Sequence, residues 1–261
     1  MNAIAPTLTL DVDVANPGQF FACCGLLELA DALARRSLTP ALGWFDDAQF
    51  HLTTDESNLI ESFLKVEIHP ERDDASPPVQ IAEPFDVRLD WWEDETATRA
   101  GFKTWSGGQT VMGFLDGLRK HAADVAADID QALLLTQSRP IRSPKPVYFD
   151  SRLSRLTSLD FGFSTERFTA AYSPAAEVLA LVGLQRFRPA TVVPREQYRY
   201  DTWSSPLPVS IAAAAAHGLI PPLNQRTFEF PLVVRTGGKY KAFGPSEPVR
   251  SNHDQDVDTI R

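Results

Sequence analysis

The sequence TLTLDVDV at residues 7–14 is followed at once by NPGQFFACCGLLELADALARR at residues 16–36. The first stretch alternates apolar and polar residues, so its leucines and valines share one face, which predicts a half-buried strand. Asn16 is a favoured N-cap and Pro17 a favoured first helical residue. The second stretch therefore predicts a helix that ends at about Arg36 and packs its apolar face on the first sheet.

The alternation of strand and helix patterns continues along the chain. Further strands are predicted at residues 48–53, 79–92, 197–203, 226–235 and 239–243. Further helices are predicted at residues 57–66, 109–129, 130–137, 174–187 and 209–217. The pair Gly237-Gly238 between the last two strands is a hairpin signal. This pattern predicts an α+β fold with a ferredoxin-like or RRM-like sheet and helices packed on one face, in one such unit or two.

The charge of the chain divides into two parts at the proline-rich segment 139–146. Residues 1–138 hold 9 Lys/Arg and 23 Asp/Glu, whereas residues 139–250 hold 15 Lys/Arg and 8 Asp/Glu, in a chain of net charge −9. We predict an acidic N-terminal α/β unit (1–138), a basic C-terminal α+β unit (139–250) and a flexible tail (251–261). Such a division suggests an acidic outer face and a basic working face, although solvated acidic helices would give the same composition.

Composition also bounds the class of protein. The two cysteines, Cys23 and Cys24, are adjacent in an apolar run, which excludes a disulfide framework and suggests a reducing compartment. The longest apolar stretches are interrupted by charges or prolines before they reach the roughly 20 residues that span a bilayer. The first residues show neither the basic flank nor the cleavage pattern of a signal peptide. We therefore expect a cytoplasmic protein without a membrane partner.

No catalytic, metal or cofactor motif emerges from the sequence. The five histidines are scattered singly, and neither a Walker loop nor a nucleophile elbow is present. Asp11 and Asp13 share one face of the first predicted strand and could hold a divalent ion, but solvent-side acids of an alternating strand are the more economical interpretation. We predict no catalytic residue, no metal ligand and no cofactor.

The region from Arg139 to Tyr200 interleaves arginines with aromatic residues, a pattern typical of nucleic-acid surfaces. Arginine pairs with phosphate through two hydrogen bonds and stacks on bases, and aromatic rings add stacking platforms. Backbone amides of the glycine-bearing loops at 105–109 and 236–239 could also receive phosphate. The predicted nucleic-acid contacts are Arg142, Lys145, Arg152, Arg155, Arg167, Arg186, Arg188, Arg195, Arg199, Gly237, Gly238, Lys239 and Lys241. In the alternative interpretation, the aromatics form core and the arginines pair with Asp150, Asp160, Glu166 and Glu196.

Several stretches carry a family resemblance. NPGQFFACCGLLE at 16–28 resembles the N-terminal signature of CRISPR-associated proteins of the type I-U (I-G) subtype, in the small Csb-type subunit family. YFD at 148–150, LDFGFS at 159–164, ALVGLQRFRP at 180–189 and the segment 203–208 are also similar to that family. These stretches follow one another in order along nearly the whole chain.

The resemblance implies a non-catalytic subunit of an RNA-guided surveillance complex of the Cascade kind, related to the RAMP superfamily and active in antiviral defence. Its partners would be CRISPR guide RNA, target DNA or both, together with other Cas proteins of the same effector complex. RAMP proteins carry a glycine-rich loop that touches guide RNA, and the short loop at 236–238 departs from the longer pattern usual there. Two alternatives remain open, namely an acidic adaptor that recruits or regulates the effector without touching nucleic acid, and a metal-dependent nuclease.

Overall fold

Five α-helices and thirteen β-strands lie in the part of the chain that the computed structural model describes, which confirms the predicted α+β class. The described residues are 4–35, 37, 39–73, 76–94, 102–105, 109–141, 145–156, 170–234 and 241–249. The helices are α1 (Pro17–Ala34), α2 (Leu59–Lys65), α3 (Val111–Ala126), α4 (Pro174–Gly183) and α5 (Val209–Ala216). Within those ranges, no helix has the length and apolar character needed to cross a membrane.

The strands form several antiparallel sheets. The strands of the N-terminal half are β1 (Leu8–Asp11), β2 (Leu42–Asp46), β3 (Gln49–Thr53), β4 (Ile68–Pro70), β5 (Val79–Ile81) and β6 (Val87–Leu89). Those that follow are β7 (Arg139–Ile141), β8 (Ala170–Tyr172), β9 (Ala190–Val193), β10 (Gln197–Trp203), β11 (Asn224–Val234), β12 (Lys241–Phe243) and β13 (Glu247–Pro248).

The first sheet has the strand order β1-β3-β2, with β3 antiparallel to both neighbours. Strands β1 and β2 are therefore parallel to each other and connected by α1, which is the split β-α-β arrangement of the first half of a ferredoxin-like unit. No fourth strand joins this sheet within the described ranges. The α+β class is thus established, whereas the complete ferredoxin-like sheet is not confirmed.

The larger sheet has the order β12-β11-β10-β9, and β13 also pairs with β11. All of its neighbouring strands are antiparallel, and β9 to β12 follow one another in chain order. The predicted pairing of the last two long strand segments is confirmed by β11 and β12. Two smaller sheets, β4-β5-β6 and β7-β8, complete the described strands.

Helices α1 and α4 form the centre of the molecule. Every residue of α4 is buried, and so is every residue of α1 from Pro17 to Ala30. The sequence predicts that α1 buries a single apolar face. In the structure the helix is buried on all sides from Pro17 to Ala30, as expected for a helix in which nearly all side chains are apolar. Its few polar side chains are satisfied: Gln19 accepts a hydrogen bond from the amide of Asp13 at 2.8 Å, and Glu28 pairs with Arg186.

Two glycines allow α1 and α4 to touch through their backbones. A Cβ atom at Gly25 would lie 2.1 Å from the carbonyl oxygen of Leu179, and one at Gly183 would lie 2.0 Å from that of Phe21. Both distances are far below van der Waals contact, so only glycine is compatible with this approach. The contact between α1 and α4 is also the most extensive one between any two helices of the described structure.

The predicted acidic and basic units share one hydrophobic core. The buried residues form a cluster that runs from β1 to β12 across position 138. Tyr200 donates its hydroxyl to the carbonyl of Val14 at 2.7 Å, and the indole of Trp203 donates to the carbonyl of Gly43 at 2.7 Å. The chain around position 139 is not only a connection, because Arg139–Ile141 forms strand β7.

The prediction of a single strand at 79–92 is wrong. The chain instead forms the hairpin β5-β6, turning at Ala82–Asp86, and then a 3-10 helix at Trp91–Glu93. Asp86, the last residue of this turn, adopts a φ of 50°, a left-handed conformation that interrupts the extended backbone before β6 begins. The alternating pattern did not reveal this turn because apolar residues continue at the same spacing on both sides of it.

The helix predicted at 130–137 is also wrong, because this stretch forms only a 3-10 helix at Gln131–Leu133. Asp130 caps that turn by accepting from the amide of Ala132 at 3.0 Å, and α3 has already ended at Ala126. The two remaining 3-10 helices of the described chain cover Ser151–Leu156 and Pro221–Leu223.

We predict that Gly183→Ala lowers the free energy of unfolding by about 2 to 3 kcal/mol, because its new methyl group overlaps the carbonyl of Phe21. Urea unfolding followed by tryptophan fluorescence measures this change. The matched control is Gly113→Ala in α3, where the added Cβ meets only the hydroxyl of Thr110 at 3.0 Å. The control is expected to change stability by less than about 1 kcal/mol. Equal effects of the two substitutions would contradict the close helix contact.

Candidate nucleic-acid interface

Six of the predicted nucleic-acid contacts cannot be placed, because either the residue or its side chain lies outside the described structure. Arg155 lies in the 3-10 helix Ser151–Leu156, where only its backbone is described. The other five lie outside the described residues altogether and stay predictions: Arg142, Arg167, Gly237, Gly238 and Lys239. The loop glycines at 107 and 108 are likewise outside. Of the seven cations that are described, Lys145 is exposed at the start of the segment 145–156.

Arg152 is held inside the protein by a buried carboxylate. Its Nε atom lies 2.9 and 3.0 Å from the two carboxylate oxygens of Asp150, which is fully buried. Its Nη atoms also donate to the carbonyl oxygens of Leu135 and Thr136, at 3.2 and 2.5 Å. A guanidinium that is shared among four protein oxygens has little capacity left for a phosphate.

Three further predicted cations also form ion pairs within the chain. Arg186 binds Glu28 through two hydrogen bonds of 2.5 and 3.0 Å, Arg188 pairs with Asp94, and Arg199 donates to Glu229 at 3.0 Å. The carboxylate partners thus neutralise much of the positive charge that the sequence concentrates in this region. The interpretation in which the arginines pair internally named Asp150 correctly as one partner. Two other acids that it named, Asp160 and Glu166, lie outside the described residues, and the partners Glu28, Asp94 and Glu229 are ones that it did not name.

Arg195 and Lys241 lie at the ends of two neighbouring hairpins. Arg195 occupies the turn between β9 and β10 with a φ of 69°, and Lys241 is the first residue of β12, which pairs with the end of β11. The amide of Leu232 in β11 donates to the carbonyl of Glu196 at 2.8 Å, so the β9-β10 turn lies beside the last residues of β11. The sheet therefore brings these two cations to one edge, next to the connection 235–240.

A third cation lies beside this edge. The amide of Lys241 donates to the carbonyl of Thr104 at 3.2 Å, and the adjacent Lys103 places its Nζ atom 4.9 Å from the ring centroid of Trp105. Burial lowers the pKa of both lysines, and for Lys241 the nearby charge of Arg195 lowers the pKa further. Bringing an anion to such a site relieves both effects. We call Lys103, Arg195 and Lys241 the hairpin-end patch.

Apolar and acidic side chains border the hairpin-end patch. Val192, Val193 and Val234 are exposed by 37%, 40% and 56%, and all three belong to the same two hairpins. Glu196 is exposed in the β9-β10 turn, and the charge of Glu93 raises the pKa of Lys103, so the patch is only moderately positive. Exposed valines beside cations are suited to a ligand that has both phosphates and apolar ring faces.

Glu177 is a functional candidate that the sequence pattern did not single out. This fully buried residue of α4 accepts hydrogen bonds from the backbone amides of Tyr148 at 2.8 Å and Asp150 at 2.6 Å. Burial raises its pKa from 4.5 to about 7, although the amide hydrogen bonds act in the opposite direction. The one signal in the sequence is an isolated acid in the otherwise apolar run PAAEVLALVG.

The segment that Glu177 holds is connected to the hairpin-end patch. The carbonyl of Tyr148 accepts from the amide of Phe243 in β12 at 2.9 Å, and that of Val147 accepts from the hydroxyl of Thr104 at 2.6 Å. Both strand β12 and Thr104 belong to the backbone that carries the lysines of the patch. Glu177 therefore positions the patch indirectly, through hydrogen bonds to one intervening segment.

The N-terminal acids lie on a different surface. Asp11, Asp13, Asp46 and Asp47 line an open groove of about 940 Å³, and the amide group of Gln49 donates to Asp11 at 3.1 Å. Asp13 is exposed but lies outside the strand predicted for it, because β1 ends at Asp11. In the described ranges, His, Cys, Asp and Glu side chains do not come together in groups of three that could hold a metal ion.

Comparison of the chain with protein-family models, with curated proteins and with solved structures finds no match.

We predict that Glu177→Gln removes part of the pH dependence of folding. The folded state holds a proton on Glu177 up to a pKa of about 7, while the unfolded chain releases it near 4.5, so wild-type stability falls as pH rises through this interval. Between pH 5 and pH 8, the stability of the wild type relative to the variant is expected to fall by about 2 to 3 kcal/mol. Urea unfolding at both pH values measures the difference. Parallel pH profiles of the two proteins would contradict the buried, proton-binding Glu177.

Proposed function

We propose that the chain is a non-catalytic subunit of a type I CRISPR surveillance complex, in which the hairpin-end patch contacts the backbone of guide RNA or target DNA. The observation that carries the proposal is the meeting of Arg195 and Lys241, which are distant in sequence, at one sheet edge beside the 235–240 connection. Each stretch quoted from the sequence that resembles the Csb-type subunit family adds support. The proposed location is the cytoplasm, and the proposed partners include other Cas proteins.

The chemistry of the patch suits a nucleic-acid backbone. Like charges held close together cost free energy, and a phosphate placed between them reverses the sign of that interaction. The exposed Val192, Val193 and Val234 offer apolar contact to sugars and base faces. A protein surface of this kind reads backbone and shape, while base pairing with the guide reads the sequence.

A second candidate function is that of a protein-protein adaptor, which recruits or regulates the CRISPR effector without touching nucleic acid. The specific observation in its favour is that Arg152, Arg186, Arg188 and Arg199 all pair with carboxylates of the chain itself. The net charge of −9 also favours protein partners over free nucleic acid. The two candidates differ in whether the hairpin-end patch takes part in binding RNA.

We predict that the double variant Arg195→Ala/Lys241→Ala binds labelled single-stranded RNA about tenfold more weakly than the wild type in fluorescence anisotropy. Loss of two phosphate contacts is expected to make the slope of log K against log salt shallower by about 1.4. The matched control is Lys65→Ala/Lys120→Ala, which removes two exposed cations of α2 and α3 and leaves both quantities unchanged. If the control weakens binding as much as the patch variant, the RNA contact does not lie at the hairpin-end patch.

We further predict that tagged protein, purified from cells that carry the neighbouring genes, brings down short RNAs of uniform length together with other Cas proteins. Sequencing of the bound RNA and mass spectrometry of the proteins provide the measurement. Recovery of Cas proteins without RNA would favour the adaptor. Recovery of the chain alone would reject both candidates.

A further inference from the structure

A groove between α2 and α3 is open at the surface of the acidic half. Its volume is about 470 Å³, and its apolar lining includes Ile60 and Leu64 of α2, two alanines of α3 and a third alanine directly after that helix. The alanines, which include Ala127, lie at positions 123, 126 and 127. This spacing places them on one face of the helix.

The groove forms because Arg119 connects α3 to only one end of α2. The Nη2 atom of Arg119 in α3 donates to the carbonyl oxygens of Phe63 and Leu64 at 3.0 Å and also to that of Val66, at the C-terminal end of α2. Beyond this contact α3 presents alanines, whose short side chains leave the space toward the start of α2 unfilled. Burial lowers the pKa of Arg119, and the charge of Asp116 raises it.

Acidic residues lie in the groove lining and directly beside it in sequence: Glu61 is part of the lining, and Asp124 and Asp128 follow the lining residues Ala123 and Ala127. Glu61 and Asp124 are exposed by 60% and 67%, and Asp128 is exposed by 62%. Two cations at this surface, Lys65 and Arg139, already pair with Glu61 and Asp128 respectively. Asp124 lies 4.0 Å from His121, and the three acids Glu61, Asp124 and Asp128 outnumber the two cations Lys65 and Arg139 that pair with them.

An apolar floor of alanines with acidic sides is complementary to a helix that has one apolar face and basic residues beside it. Small side chains in the floor allow such a helix to approach closely, and the acids match the cations that flank its apolar face. An acidic helix would be repelled by Asp124, Asp128 and the further acid Asp130.

We propose that this groove, which we call the α2-α3 groove, binds a basic amphipathic helix of a partner protein. The exposed Leu133, at 41% exposure, directly precedes Leu134 of the groove lining in sequence. The proposal does not rest on nucleic-acid binding, since the α2-α3 groove and the hairpin-end patch have no residue in common.

The test uses the full chain and a fluorescein-labelled amphipathic peptide with leucines on one helical face and lysines beside them. Ala127→Trp fills the groove, and Asp124→Lys reverses the charge of one acidic residue beside it. Each substitution is expected to weaken peptide binding by about fivefold to tenfold. Both residues are exposed in the free chain, and thermal unfolding checks that each variant folds. The matched control Glu247→Lys, an exposed acid of β13, is expected to stay within about twofold.

Hydrogen exchange locates the bound peptide, and protection of α2 and of the second half of α3 is the result expected. Equal binding to wild type and both groove variants, or equal binding of a peptide with glutamates in place of the lysines, would overturn the proposal. So would a concentration-dependent dimer that Ala127→Trp dissociates, because the groove would then hold a second copy of the chain. RNA binding by the two groove variants is expected to match the wild type, so failure here and failure of the proposed function give different results.

Discussion

The backbone contact between α1 and α4 is the constraint on which the rest of the structure depends. Gly25 and Gly183 let the buried part of α1 touch the fully buried α4, so that one helix comes from each half of the chain. A contact of this kind tolerates no side chain, so it fixes the distance between the helices. The first sheet, the larger sheet and the core that they share are arranged around that fixed pair.

The helix pair also explains why polar groups are buried at its N-terminal ends. Asn16 caps α1 and donates to Asp150 at 2.8 Å, while Ser173 caps α4 and accepts from the amide of Ala176 at 3.1 Å. Asp150 and Glu177 satisfy the backbone amides that would otherwise remain unpaired between the helices, and Arg152 balances the charge of Asp150. A buried carboxylate is stable only when it is partnered in this way.

These ion pairs show that part of the arginine-rich region has a structural role. Its concentration of cations in the sequence suggests one basic surface, yet Arg152 and Arg186 are used to neutralise buried carboxylates of the same chain. The hairpin-end patch instead brings together cations from three separate segments, around residues 103, 195 and 241. The positive charge of the C-terminal half is thus partly neutralised within the described chain by ion pairs that form on folding.

The sequence by itself determined the α+β class, the start of α1 at Asn16-Pro17 and the pairing of the last strands, because caps, periodicity and turn glycines act over a few residues. It failed at 79–92, where a turn interrupts an apolar pattern that continues beyond it, and at 130–137, where only a short 3-10 helix forms. Only the tertiary structure decided which arginine faces which carboxylate, since Arg186 and Glu28 are 158 residues apart. It also decided that Arg195 and Lys241 meet, because strand pairing, not sequence spacing, sets the position of a hairpin end.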